Sequence, residues 1–210
     1  MSARSFHALW LPNEPLILAS GSSARAQMLK GAGIPFEIDK PTLDEREVEA
    51  PLKAAGANGA QIAAALAQAK ALEVSARRPG RYVLGGDQTL QIGDDFLVKP
   101  EGRAGAKEHL GLLSGRSHHL HAAAAVARDG NVLLATNDKA TLTMRALSDD
   151  FIETYLNAAG EAVFGSVGAY QIEGLGLHLF ERIEGAHPVI MGLPLHALIT
   201  GLRNLNLLRE

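Results

Sequence analysis

Cysteine is absent from the 210 residues. That removes both a disulfide framework and any thiolate metal site, and makes a reducing cytoplasm the expected setting. The formal net charge is -3, so the chain lacks the basic excess that holds nucleic acid or an anionic membrane, and neither is an expected partner. No apolar run is long enough to span a bilayer. The start of the chain is broken by Arg4, His7, Pro12, Asn13 and Glu14 and has no signal-peptide core. Several chemical motifs are missing as well. Without GxxxxGK there is no P-loop nucleotidase, without HExxH no zincin, and without GxSxG no serine-hydrolase elbow. His118, His119 and His121 do not replace them, because on a strand 119 and 121 share one face while 118 points to the other.

What is present is a composition 47% hydrophobic, suited to one large domain or to two lobes sharing a cleft. Residues 1–14 read as a loosely ordered tail, and residues 15–210 as a single domain. The chain is organised around Pro15 to Leu29. Leu16 to Ala19 is a short apolar run bounded by turn formers, hence a buried strand. Ser20-Gly21-Ser22-Ser23 then turns into a helix, with Ser22 or Ser23 as its cap and Met28 and Leu29 on its apolar face. A strand, a polar loop and a helix start with Arg25 in its first turn gather free N–H groups, hydroxyls and one fixed positive charge. That is the make-up of an anion site, and equally of an ordinary strand-turn-helix with a solvated arginine.

Further along, Pro35 to Ile38 reads as a second strand and Pro41 to Arg46 as a polar loop. Asn58 to Arg77 reads as an alanine-rich helix, with Ile62, Leu66, Ala69 and Leu72 near helical spacing and Lys70 late in it. A strand from Tyr82 runs through Gly85-Gly86-Asp87-Gln88-Thr89 to Ile92 and returns over Phe96 to Val98, closing at Lys99-Pro100. A helix from about Ala104 to Leu113 follows, then two strands around the Asp129-Gly130 turn. A helix capped by Ser148 runs to Ala159, a strand from Leu177 to Ile183, and a final amphipathic helix after Gly192-Leu193-Pro194. Strands interleaved with helices and hairpins indicate an α/β fold on a mixed sheet.

Asp87 stands out because an aspartate beside two glycines opposes β-propensity, so something other than sheet stability holds it in a strand. Lys99, after the returning arm of the hairpin, is placed to lie near it. A carboxylate near a lysine suits phosphate chemistry, the acid binding Mg²⁺ or deprotonating water and the lysine neutralising phosphoryl oxygens. The same pair equally makes a structural salt bridge. Asp44 and Glu45 add hard oxygens of the kind Mg²⁺ takes, and acidic pairs in loops are also commonly just solvated. Lys70, from its position alone, reads as a solvated lysine near a helix C-terminus.

Together these segments resemble a known family. Leu18-Ala19-Ser20-Gly21-Ser22 with Arg25, Asp44-Glu45, Lys70-Ala71, Gly85-Gly86-Asp87, Lys99-Pro100, Leu113-Ser114-Gly115-Arg116 with His118, Gly168-Ala169-Tyr170 and Gly192-Leu193-Pro194 match the Maf family in order and spacing over roughly residues 15 to 205. The resemblance implies an elongated mixed sheet with flanking helices and two lobes around a nucleotide cleft, a Maf/ITPase-like fold. It implies a nucleoside triphosphate pyrophosphatase that needs Mg²⁺ or Mn²⁺ and is often a homodimer. By position, Asp87 looks like the acceptor that activates water, with Glu45 and Lys99 beside it and Asp87 and Glu45 at the metal. Ser22, Arg25 and Lys70 look like the phosphate cradle. An exposed aspartate at its ordinary pKa of about 3.9 is a weak base, so its expected role runs through water held by the metal.

The chain departs from the family pattern in three places. Ser23 stands where a proline is usual, one arginine stands where two are usual, with Ala24 and Ala26 beside it, and Ala122 stands where many members have threonine. Gln88 and Glu173 are the residues of the subgroup acting on 7-methyl-GTP, while Gly168-Ala169-Tyr170 is closer to the subgroup acting on dTTP and UTP. Glu173 can accept from a guanine N1–H and exocyclic amine, an edge that thymine lacks. Because family members have been linked to septum formation, a nucleotide-binding regulator of cell division with little turnover is the alternative reading, and a metal-dependent phosphatase releasing orthophosphate is a third.

Overall fold

The protein is described here by a computed structural model covering residues 8–210. Of the expected loose tail, residues 1–7 lie outside the described residues, and residues 8–14 are held in place. Trp10 is buried, its indole N–H donates to the Glu14 carbonyl at 2.9 Å, and it bridges Leu208. The Leu11 N–H donates to Leu207 O and the Arg209 N–H to Leu9 O, at 3.0 and 2.9 Å. One large aromatic anchor outweighs the charges and prolines that suggested looseness.

The strands are β1 (Leu16–Ala19), β2 (Phe36–Ile38), β3 (Val83–Ile92), β4 (Asp95–Leu97), β5 (Ser117–Arg128), β6 (Asn131–Met144) and β7 (Phe180–Glu184). The helices are α1 (Ser23–Gly31), α2 (Glu45–Ala54), α3 (Gly59–Arg77), α4 (Gly102–Leu113), α5 (Asp149–Ala159), α6 (His187–Ile190) and α7 (Leu195–Asn204). The sheet runs β2-β1-β3-β5-β6-β7, with β4 paired to β3. β1 is parallel to β2 and β3, whereas β3–β4 and β6–β7 are antiparallel. The fold is therefore α/β on a mixed sheet, as the alternation of elements implied. The chain divides into two compact units. One holds the residues up to Gln88, Ala122–Asp138 and His187–Glu210; the other holds Thr89–His121 and Lys139–Ala186.

In the first unit β1 and the adjoining parts of β3 and β5 are buried on both faces, and their residues sort by a period of two. Leu16, Leu18, Leu84, Ala124 and Val126 join Leu29 of α1 and Leu198 and Leu202 of α7 in one cluster. Ala123, Ala125 and Ala127 of β5 pack instead with Ala63, Ala67 and Ala71 of α3. The alanines let α3 lie close on the sheet, and Gly85 lets it lie closer still. A Cβ at Gly85 would sit 2.1 Å from the Ala67 carbonyl oxygen and 2.7 Å from the Ala71 nitrogen, so no side chain fits there.

Two elements differ from the sequence reading. The expected loop at Asp44–Arg46 is the start of α2, whose internal Pro51 hides it; proline weakens a helix pattern wherever it stands inside one. The strand expected from Leu177 begins at Phe180, because Leu175–Leu179 coils as a 3₁₀ turn. Gly176 permits that coil, since a Cβ there would meet Gln171 O at 2.4 Å. In the second unit α4 packs against α5. No helix among the described residues is long and apolar enough to cross a membrane.

Candidate active site

The site is built where β3 passes between α3 and α1. Along Gly85-Gly86-Asp87-Gln88 the odd residues face α3 and the even ones face α1 and the segment after α6. Asp87, two residues beyond the Gly85 contact, thereby meets α3 at Lys70. The Lys70 ammonium donates to Asp87 Oδ1 at 2.6 Å and lies 2.8 Å from Glu45 Oε1. Lys70 and Asp87 are buried, at 7% and 6% exposure, and Glu45 is exposed in the first turn of α2. The lysine read from its position as solvated is thus the one that pairs with Asp87. α3 spans what the sequence indicated but lies closer to the sheet than its spacing revealed, so Lys70 stays covered.

Burial raises the Asp87 pKa, opposed by the charges of Lys70 and Arg25. This corrects the expectation of an exposed carboxylate at its ordinary pKa: Asp87 is a stronger base than a solvated aspartate. Gly86 opens the other face for Arg25, since a Cβ at Gly86 would be 3.1 Å from Arg25 Cδ and Nε. The two glycines before Asp87 therefore have separate purposes, one for a helix backbone and one for a guanidinium.

Arg25 rises from the first turn of α1. Ser22 caps that helix, its hydroxyl oxygen accepting from the Arg25 N–H at 3.3 Å. The guanidinium is partly buried and held at two points, Nε donating to Gly192 O at 2.8 Å and Nη1 to Ser20 Oγ at 3.0 Å. Burial lowers its pKa while the charges of Asp87 and Glu45 support it; an arginine remains charged throughout. Gly192, at φ +93°, lies against both Arg25 and Gln88. The Gln88 amide donates to Val189 O at 2.9 Å and Ile190 O at 3.0 Å. Both of its donors are thus used on backbone, which leaves its carbonyl oxygen for a ligand. These carbonyl partners carry no side-chain signature.

Asp44 caps α2, Oδ1 accepting from the Arg46 N–H at 2.9 Å, so one of its oxygens is held by the helix. Asp87 and Glu45 share the Lys70 ammonium, so two carboxylates stand side by side. That donor set fits Mg²⁺ or Mn²⁺, which binds through one or two carboxylates and completes its shell with substrate phosphates and water.

The first unit therefore brings together Ser22, Arg25, Glu45, Lys70, Asp87 and Gln88. Lys99 and Glu173 belong to the second unit. Lys99 is exposed just beyond β4, and Glu173 is exposed on the turn between Tyr170 and the Leu175–Leu179 coil. That unit has its own buried polar pair. His118 Nε2 lies 2.7 Å from the Tyr170 hydroxyl, and burial lowers the His118 pKa to about 4 and raises that of Tyr170.

Residues 15–205 match the family described as Maf-like protein. A nucleoside triphosphate pyrophosphatase of Nitrobacter winogradskyi is 54% identical over 94% of this chain and 96% of its own length. A 7-methyl-GTP pyrophosphatase of Mesorhizobium japonicum is 50% identical over 91% of this chain and 96% of its own. Among solved structures, a HAM1 protein from Coxiella burnetii aligns with TM-score 0.43 and 17% identity over 62% of this chain and 72% of that one.

Proposed function

The chain belongs to the Maf family and is a nucleoside triphosphate pyrophosphatase, and from that premise we propose that Asp87, Lys70, Glu45 and Arg25 carry the hydrolysis in the presence of a divalent metal. The observation that supports this most is the buried Asp87–Lys70 pair, with Glu45 on the same ammonium. A charged pair is costly to bury, and one of its members sits in a strand that disfavours it.

In the reaction the oxygen of water forms a bond to the α-phosphorus and the bond from that phosphorus to the bridging oxygen breaks. The bridging oxygen keeps the electron pair and leaves as part of pyrophosphate. Asp87, its pKa raised by burial, accepts a proton from the attacking water. Lys70 holds Asp87 and Glu45 in fixed orientation and offsets part of their charge. Arg25, clamped at Gly192 and Ser20, presents an oriented guanidinium to phosphoryl oxygens and needs no reorganisation as charge develops. Ser22 fixes the start of α1, whose free N–H groups favour an anion. Asp87 and Glu45 would hold Mg²⁺ or Mn²⁺, which when bound supplies further positive charge at the phosphoryl oxygens.

For the base, we propose a preference for 7-methyl-GTP or another modified guanine nucleotide. Glu173 would accept from the guanine N1–H and exocyclic amine, an edge that thymine lacks. The name of the Mesorhizobium relative supports this; that of the Nitrobacter relative leaves the base open.

One experiment tests the reading. Turnover is screened over common and methylated nucleoside triphosphates with Mg²⁺ and with excess chelator, and products are identified. Pyrophosphate and a nucleoside monophosphate are expected, dependent on metal and fastest with a guanine base. Orthophosphate, or no turnover with any nucleotide, would overturn the assignment.

A further inference from the structure

Lys40 follows β2 by two residues and turns its side chain across the loop that precedes α1. A Cβ placed on Gly21 would be 3.3 Å from Lys40 Cε, 3.6 Å from Cδ and 3.8 Å from Nζ. The ammonium therefore lies over the same Ser20–Ser22 turn that holds Arg25. A second cation over that turn suits an anion that arrives from outside.

The surroundings of Lys40 keep its charge available. The adjacent carboxylate, Asp39, is taken by two arginines: Arg77 Nη1 at 2.6 Å from Oδ1, and Arg78 Nε at 2.6 Å from Oδ2. The hydrogen bonds from Arg78 and Arg77 hold the Asp39 pKa below its ordinary value. Arg77 also donates through Nη2 to the Lys40 carbonyl at 2.7 Å, which fixes the backbone from which the side chain springs. Among the described residues the acids near the loop have other partners, Asp39 with these arginines and Asp87 and Glu45 with Lys70. The Lys40 ammonium makes no ion pair with any of them.

We infer that Lys40 binds the pyrophosphate half of the substrate, an assignment that rests on the hydrolysis proposed above. The β- and γ-phosphates carry most of the negative charge of a triphosphate, and the leaving half gains more as the bond to the α-phosphorus breaks. A cation not already paired is best used there. Bare Gly21 gives the lysine stem room to lie flat over the loop. The second cation of the phosphate cradle thus comes from the end of a neighbouring strand, distant in sequence from Arg25.

The test is calorimetric titration of inorganic pyrophosphate in the presence of Mg²⁺, using the full chain and the variants Lys40→Ala, Lys40→Arg and Lys30→Ala. Lys30 is an exposed lysine in the last turn of α1 and controls for loss of charge alone. Lys40→Ala should bind pyrophosphate about tenfold more weakly, as for loss of a partly solvated charge-assisted contact. Lys40→Arg and Lys30→Ala should stay within about twofold of wild type, and nucleoside monophosphate should bind all four proteins alike. Unchanged pyrophosphate binding in Lys40→Ala would overturn the inference. So would an equal loss for the monophosphate, or an equal loss in Lys30→Ala. If the wild type neither binds pyrophosphate nor releases it from any triphosphate, the hydrolysis reading itself fails and the role of Lys40 falls with it. Lys40 is exposed, and thermal melting confirms that its variants fold.

Discussion

The two units each bury a polar pair, and they treat charge in opposite ways. In the first, Lys70 and Asp87 meet at 2.6 Å as ions, with Glu45 and Arg25 near enough to act on Asp87. In the second, His118 and Tyr170 meet at 2.7 Å as neutral groups, burial holding the histidine far below its ordinary pKa. A neutral pair satisfies its hydrogen bond and stabilises the fold. An ionic pair pays a desolvation penalty that an apolar replacement would avoid. The molecule keeps the costly arrangement in the unit with the Ser20–Arg25 loop and the cheaper one in the other, as expected if charge is retained for chemistry and suppressed for structure.

The sharpest way to break this comparison is Asp87→Asn. It should lower kcat/KM by about a thousandfold or more, with pyrophosphate release as the assay. The melting temperature should stay the same or rise slightly, because burial already disfavours the charged form of Asp87. A variant with near wild-type turnover would make the pair structural, like its counterpart.

The second prediction concerns the neutral pair and is read in stability. His118 titrates near 4 when folded against 6.5 ordinarily, so the unfolded chain takes up the proton first on acidification. The stability contribution is complete above pH 6.5 and is lost between 6.5 and about 4. With each pKa unit worth about 1.4 kcal/mol, the loss reaches about 3 kcal/mol in full and about 2 kcal/mol by pH 5. Burial shifts His119 and His121 in the same direction, so the part due to His118 is the difference between wild type and His118→Gln. Urea unfolding at pH 7 and pH 5 measures it. Equal pH dependence in both proteins would show that His118 takes up its proton in the fold as readily as in the unfolded chain.

The smallest effect separates a cap from a ligand. Asp44→Ala should cost about 1 kcal/mol by melting, as for loss of an N-cap, and should leave the Mg²⁺ concentration for half-maximal activity unchanged. A large rise in that concentration would return Asp44 to the metal.

The fold was largely legible because most elements carry local signals: turn residues at Asp129-Gly130, a cap at Ser148, short apolar runs bounded by turn formers in the strands. α2 was hidden by Pro51, and the start of β7 by glycines that allow a tight coil. Within the site, Asp87 was visible as an aspartate out of place in a strand. Its partner was not, since nothing local to Lys70 says that alanines at 63, 67 and 71 and a glycine at 85 draw that helix onto the sheet. Gln88 shows a further limit. Its donors end on the carbonyls of Val189 and Ile190, and any residue offers a carbonyl, so the sequence cannot mark them.

The pairing of Trp10 with Leu208, flanked by hydrogen bonds from Leu11 to Leu207 and from Arg209 to Leu9, makes the first unit nearly a closed ring. Residues 9–11 run beside residues 207–209, so a short peptide linker from residue 210 to residue 8 would leave that bridge undisturbed. The tight turn at Asp129-Gly130, both at positive φ, then offers a place to open new ends. A chain joined beside Trp10 and opened at that turn is expected to assemble the same sheet, so that order of synthesis and folded architecture come apart.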